Sequence, residues 1–206
     1  IVFRHNTFTY GGFNSHGYDT SYYGLRHFEF YENKFLDPNP SLNNLTNVVQ
    51  FIWVRGGTGV IYNNYMDDLS NGTWGTKPEV RLNIRAAADP SLIGLSCGSI
   101  NYSIKGNAGQ VGQNWGNGNF FTDPVYFWGN TGSWTSPVSA DFGWTPQCSY
   151  PFSTFFQWGR DGVNSAMQGG SPKLGYAAFT YPHPLVGSSG GSSGPTAPTA
   201  LQAVAN

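Results

Sequence analysis

Only 11 carboxylate side chains occur among the 206 residues, and their spacing limits the chemistry open to the chain. Asp67 and Asp68 are adjacent and directly follow an apolar run, with Arg55 upstream. Paired carboxylates beside a base suit two reactions: acid and base work across a glycosidic bond, or a Ca²⁺ site that acidifies a proton for abstraction. His27 and Glu29 would join that set if the segments stacked as neighbours. The competing reading makes Asp67 and Asp68 turn carboxylates and the others solvated side chains. The expectation is then that Asp67, Asp68, Glu29 and Glu32 do not converge on one groove with a basic residue. No Cys, His or Asp cluster has metal-ligand spacing, and the Gly-rich stretches lack the strand-to-helix context of a phosphate cradle. No metal and no cofactor is therefore expected.

Aromatic residues are in excess, at 17% of the chain with seven Trp. Most read as core. Trp115 beside Asn114, and Trp134 and Trp144 in Gly/Ser/Thr-rich loops, read as flat platforms for a sugar ring or a neighbouring subunit.

These residues need a scaffold, and a repeat supplies one. Ile1-Val2-Phe3-Arg4-His5-Asn6, Phe28-Glu29-Phe30-Tyr31-Glu32-Asn33, Gly59-Val60-Ile61-Tyr62-Asn63-Asn64 and Val125-Tyr126-Phe127-Trp128-Gly129-Asn130 share apolar alternation closed by Asn. Alternation puts one face of a short strand in the core. The steps between the Asn residues are 27, 31 and 66 residues, the last being two repeats or one with a long insertion. A single copy cannot bury its own apolar face, but copies stacked in parallel can, which predicts a solenoid. Asn6, Asn33, Asn64 and Asn130 would form a ladder, each ending its strand in the left-handed conformation and bonding the next. Residues 67–122 read as a long insertion, with Val80-x-Leu82-x-Ile84 a strand and at least one further coil inside it.

Charged residues make up 10% of the chain and the net charge is −1, so no basic face for nucleic acid is present. No apolar run approaches the roughly 18 residues of a membrane span.

The segments Arg4-His5-Asn6-Thr7-Phe8, Arg55-Gly56-Gly57-Thr58-Gly59-Val60-Ile61-Tyr62-Asn63-Asn64 and Gly159-Arg160-Asp161-Gly162 are followed by Pro172-Lys173-x-Gly175-Tyr176 and Tyr181-Pro182-His183-Pro184-Leu185. Together they resemble the last coils and C-terminal cap of secreted bacterial right-handed parallel β-helix proteins, the superfamily that includes pectate-lyase-like enzymes. The resemblance implies an all-β, right-handed parallel β-helix over residues 1–185, capped by residues 159–185, and a secreted or cell-surface location. In a secreted chain the even pair Cys97 and Cys148 implies one disulfide closing a loop of about 50 residues, against the alternative of two buried thiols.

Residues 186–199 read as a Gly/Ser/Pro linker, and residues 200–206 resemble the first strand of a fibronectin type III module. With Leu201 and Val204 as its apolar residues, that extended tail reads as a strand without its own sheet, suited to adding to an edge of another copy. The expected function is an extracellular structural or assembly module that associates with itself. The alternatives are a β-helix polysaccharide lyase or glycoside hydrolase, and a non-catalytic protein that binds polysaccharide.

Overall fold

The computed structural model describes residues 1–9, 12–15, 25, 27–37, 51–68, 80–83, 111–116, 119–134, 137–141, 151–154 and 156–178. The chain divides into two units, Ile1–Lys173 and Leu174–Asn206. In the second, the described residues are 174–178, where Leu174 is fully exposed and Gly175 has a left-handed backbone.

The first unit is all-β, and among its described residues the only helical turn is a 3-10 turn at Phe152–Thr154. The first coil holds β1 (Val2–Arg4), β2 (Thr7–Thr9) and β3 (Phe13–Asn14). The second holds β4 (His27–Tyr31), β5 (Lys34–Asp37) and β6 (Ile52–Val54). The third holds β7 (Thr58–Tyr62), β8 (Tyr65–Asp68) and β9 (Val80–Asn83). An antiparallel hairpin follows, β10 (Gln113–Gly116) with β11 (Asn119–Thr122). The fourth coil holds β12 (Val125–Trp128), β13 (Thr131–Ser133) and β14 (Val138–Asp141), and β15 (Gly162–Val163) opens a fifth. The coils align into three sheets, ordered β1-β4-β7-β12-β15, β2-β5-β8-β13 and β3-β6-β9-β14. Every pairing within these three is parallel, so the architecture is solenoid-like.

In-register pairing puts equivalent residues directly above one another, and this builds the core. Phe3, Phe30, Ile61 and Phe127 form one inward column, with the Phe3 and Phe30 rings parallel and 5.4 Å apart. Phe8 stacks on Phe35 at 4.8 Å in the second sheet. Phe28, Phe30, Phe35, Ile61 and Met66 are completely buried, each contributing roughly 1.5–3 kcal/mol relative to exposure. Where an inward column carries a large ring, the next coil yields: a Cβ on Gly59 would lie 1.9 Å from the Phe28 carbonyl oxygen and 2.6 Å from its ring.

Three sequence expectations change here. Ile61 pairs directly with Phe127, so across the 66-residue step from Asn64 to Asn130 the two coils are direct neighbours, with no further coil between them among the described residues. The alternating segment at Val80 is the third strand of that same coil, held between β6 and β14. The left-handed backbone belongs to the residue before each ladder Asn: φ is +56° at His5, +55° at Glu32, +51° at Asn63 and +60° at Gly129. Reversing the chain one residue early leaves each Asn free to turn its amide along the stack.

Candidate functional site

The corner between the first and second sheets is built from those Asn amides. Asn6 donates from its backbone N (3.0 Å) and its Nδ2 (3.0 Å) to Oδ1 of Asn33. Asn33 makes the same pair of bonds to Asn64 (3.1 and 3.0 Å), and Asn64 to Asn130 (3.0 and 3.0 Å). The second Nδ2 hydrogen points back to the preceding coil, from Asn33 to Phe3 O, from Asn64 to Phe30 O and from Asn130 to Ile61 O, each at 2.9 Å. Asn33, Asn64 and Asn130 are buried, so each bond satisfies a group that water does not reach. The ladder has a direction: the Oδ1 of Asn33, of Asn64 and of Asn130 each faces the coil before it as an acceptor of two N–H groups.

Its two ends differ. After Asn130 no Asn occupies the next rung; the fully buried Met167 does, and its carbonyl accepts the backbone N (3.2 Å) and Nδ2 (3.3 Å) of Asn130. The back-pointing bond at this level comes from Asn164, whose Nδ2 donates to Phe127 O at 2.8 Å and also to Gln168 O at 3.0 Å. Two residues divide the work of one Asn, and the ladder closes. Sequence reading missed both, because Met167 does not fit the pattern and Asn164 falls three residues before the rung.

At the other end Asn6 is exposed, no described residue donates to its Oδ1, and its second Nδ2 hydrogen turns to Arg4 O at 2.9 Å. β1 is the edge strand of its sheet among the described residues, with Ile1 57% and Val2 42% exposed. A second column runs beside the ladder on the outer face, Tyr62 lying between Tyr31 (4.8 Å) and Trp128 (4.3 Å) with all three buried. Arg4 stands at the open end of that column, its guanidinium donating to the Tyr31 hydroxyl at 2.7 Å. Among the described residues both columns therefore end at the first coil.

The acid and base candidates lie on three different sheets. Glu29, on β4, is buried with His27 Nε2 3.5 Å away, and Glu32 lies 3.1 Å from His5 Nδ1. Asp67, on β8, is buried; one of its oxygens accepts from the Tyr65 hydroxyl at 2.8 Å and the other has no partner. That contact raises the pKa of the Tyr65 phenol, through the hydrogen bond first and the carboxylate charge second. Asp68 pairs in register with Asp37 on the same sheet. Arg55 follows β6 of the third sheet, its guanidinium 4.2 Å from the Trp53 ring, while Arg81 approaches that ring at 5.1 Å and chelates Asp141.

Asn114 and Trp115 fall on β10, in register with Phe121 and Phe120. Trp134 is half-buried and packs against the core. Trp144, Cys97, Cys148, Leu201 and Val204 lie outside the described residues. Among the described residues no three His, Cys, Asp or Glu side chains group as metal ligands, and no helix is long and apolar enough to cross a membrane.

The fold and the edge define a stack of parallel coils closed at one end by its own backbone. Set against known proteins, the chain matches no family model, no curated protein and no solved structure.

Proposed function

We propose that this chain is a secreted structural module, a right-handed parallel β-helix that assembles with copies of itself through the outer edge of its first coil and its C-terminal tail. The observation that supports this reading is the one-sided ladder. Met167 completes the ladder at one end, while at the other, among the described residues, β1 is an edge strand with Ile1 and Val2 exposed and Asn6 Oδ1 without a donor. Two first-coil edges facing each other would oppose acceptor to acceptor, and at the other end Met167 stands where the next ladder Asn would be, so the Asn ladder itself is not continued by stacking end on end. An extended strand fits the open edge instead, because strand addition satisfies backbone groups along its length. Residues 200–206 supply such a strand from a neighbouring copy.

Sedimentation velocity on the full chain tests this against a chain ending at Leu185. The full chain is expected to associate with concentration, and the shortened one to stay folded and monomeric. A full chain that remains monomeric to about 100 μM, a concentration at which even weak specific contacts register, overturns the reading. Equal association of the shortened chain overturns it too.

A further inference from the structure

The segment that closes the ladder ends in a latch. Asn164 and Met167 bond the fourth coil as described above, and Gly169 O accepts from Gly129 N at 3.2 Å. Further along, Lys173 Nζ donates to Asp123 Oδ1 at 2.5 Å and lies 5.6 Å from the Tyr126 ring. Asp123 stands between β11 and β12, and both side chains of this ion pair are mostly buried. The chain divides directly after it: Lys173 closes the first unit and Leu174 opens the second.

The next residues are open. Leu174 is 98% exposed, and residues 168–172 before the latch are exposed as well. Leu174 and Gly175 form a turn in which Gly175 has φ +74°, and a Cβ on Gly175 would meet nothing within 4 Å. Nicking concentrates at exposed turns of small residues. Here such a turn also holds out a large aliphatic side chain, which an endoprotease with an apolar pocket seats just before the bond it cuts. Lys173 makes a poorer target, because a protease that recognises a cation has to draw its ammonium away from Asp123.

We infer that Leu174–Gly175 is a processing site, cut by an endoprotease that accepts a bulky aliphatic residue before the scissile bond. Water adds across the amide: its hydroxyl goes to the Leu174 carbonyl carbon and its proton to the Gly175 nitrogen as the C–N bond breaks. Asn164, Met167, Gly169 and Lys173 all precede that bond, so residues 1–174 keep their coils and their closed ladder. The cut releases residues 175–206. On the assembly reading above, on which this consequence rests, it removes the associating tail and ends self-association. The ion pair sets the rate, because a protease engages residues on both sides of the bond and Lys173 has to leave Asp123 first.

The test treats the full chain with subtilisin at low ratio and follows fragments by intact mass, for the wild type, Leu174→Asp and Asp123→Ala. A fragment of residues 1–174 is expected to accumulate with its far-UV circular dichroism retained. Leu174→Asp alters a fully exposed side chain, so folding is unaffected, and it should slow the cut at least about tenfold, as rejection by an apolar pocket does. Asp123→Ala should speed the cut up to about fivefold, the most that one partly exposed ion pair is worth, and should open the Lys173–Leu174 bond to trypsin. Coils that are degraded before 1–174 appears, or a cut indifferent to Leu174→Asp, would overturn the site. A cut indifferent to Asp123→Ala would overturn the latch. Sedimentation velocity separates the site from the assembly reading. A 1–174 fragment that associates as the intact chain does removes assembly through the tail and leaves the site standing. A Leu174–Gly175 bond that resists, in a chain whose association is lost on truncation after Leu185, removes the site and leaves assembly standing.

Discussion

Asn130 and Met167 are joined by two hydrogen bonds into a single acceptor, the Met167 carbonyl, at 3.2 and 3.3 Å. The same two donors in Asn64 converge on Oδ1 of Asn130 at 3.0 Å each. A backbone carbonyl has taken the place of a side-chain one, so no further Asn is needed to end the column.

Removing a middle rung should therefore cost more than removing the open one. Asn64→Ala deprives the backbone N and Nδ2 of Asn33 of their acceptor, and leaves Asn130 Oδ1 with only the backbone N of residue 64 and Phe30 O without the Asn64 amide. A loss of about 2–3 kcal/mol is expected from urea unfolding, against about 1 kcal/mol or less for exposed Asn6→Ala. Equal losses at the two sites would contradict the account of the ladder.

Gly59 should tolerate no side chain. Its Cβ would meet the Phe28 backbone at 1.9 Å, and backbone in a paired parallel strand cannot withdraw. Gly59→Ala is expected to lose on the order of 3 kcal/mol, the upper range for overpacking, or to fail to fold. Thermal unfolding of the soluble fraction checks it.

Gly129 differs in kind, because its φ of +60° matters as well as its space. An added Cβ would approach Asn63 Oδ1 at 2.3 Å, and that side chain is exposed and can swing aside. What remains is the left-handed penalty, so Gly129→Ala should cost roughly 1–2 kcal/mol, less than Gly59→Ala. The reverse change at an exposed equivalent, Glu32→Gly, should be close to neutral, since relief of backbone strain offsets the lost His5 contact and the added chain entropy.

The Tyr65 phenol should ionise above its ordinary value of 10.0, because its proton is held by Asp67 and a phenolate would face a carboxylate. Ultraviolet difference titration should show this shift, and Asp67→Asn should return Tyr65 toward its ordinary value. A phenol whose folded pKa exceeds its unfolded one stabilises the fold fully below pH 10. That contribution disappears as pH rises through the raised value. The alkaline limb of stability is therefore expected to steepen in the wild type and flatten in Asp67→Asn.

Much of the fold was legible in the sequence because in-register parallel stacking repeats the same demand at the same place. Phe3, Phe30, Ile61 and Phe127 alternate visibly with outward residues, and the Asn that follows each is a strong polar marker. Position along the chain was less legible. Val80 and Leu82 read as part of an insertion because β8 and β9 are separated by residues of no repeating pattern, although both strands belong to one coil. The carboxylates were the hardest to place. Adjacency of Asp67 and Asp68 in sequence says nothing about which sheet faces Arg55, and the answer depends on where each coil turns. Met167 could not have been found at all, since what acts there is a carbonyl that every residue possesses.

The direct pairing of β7 with β12 has an engineering consequence. The two strands meet in register although the chain passes through β8, β9, the fully buried Val111 and the hairpin before it reaches Val125. Closing a longer loop costs only about 0.6 kcal/mol per doubling of its length. The stretch between Asn83 and Val111 is thus a natural graft point: a foreign domain whose termini lie close together is expected to be tolerated there, while the Asn64–Asn130 contact reports whether the host coils have closed.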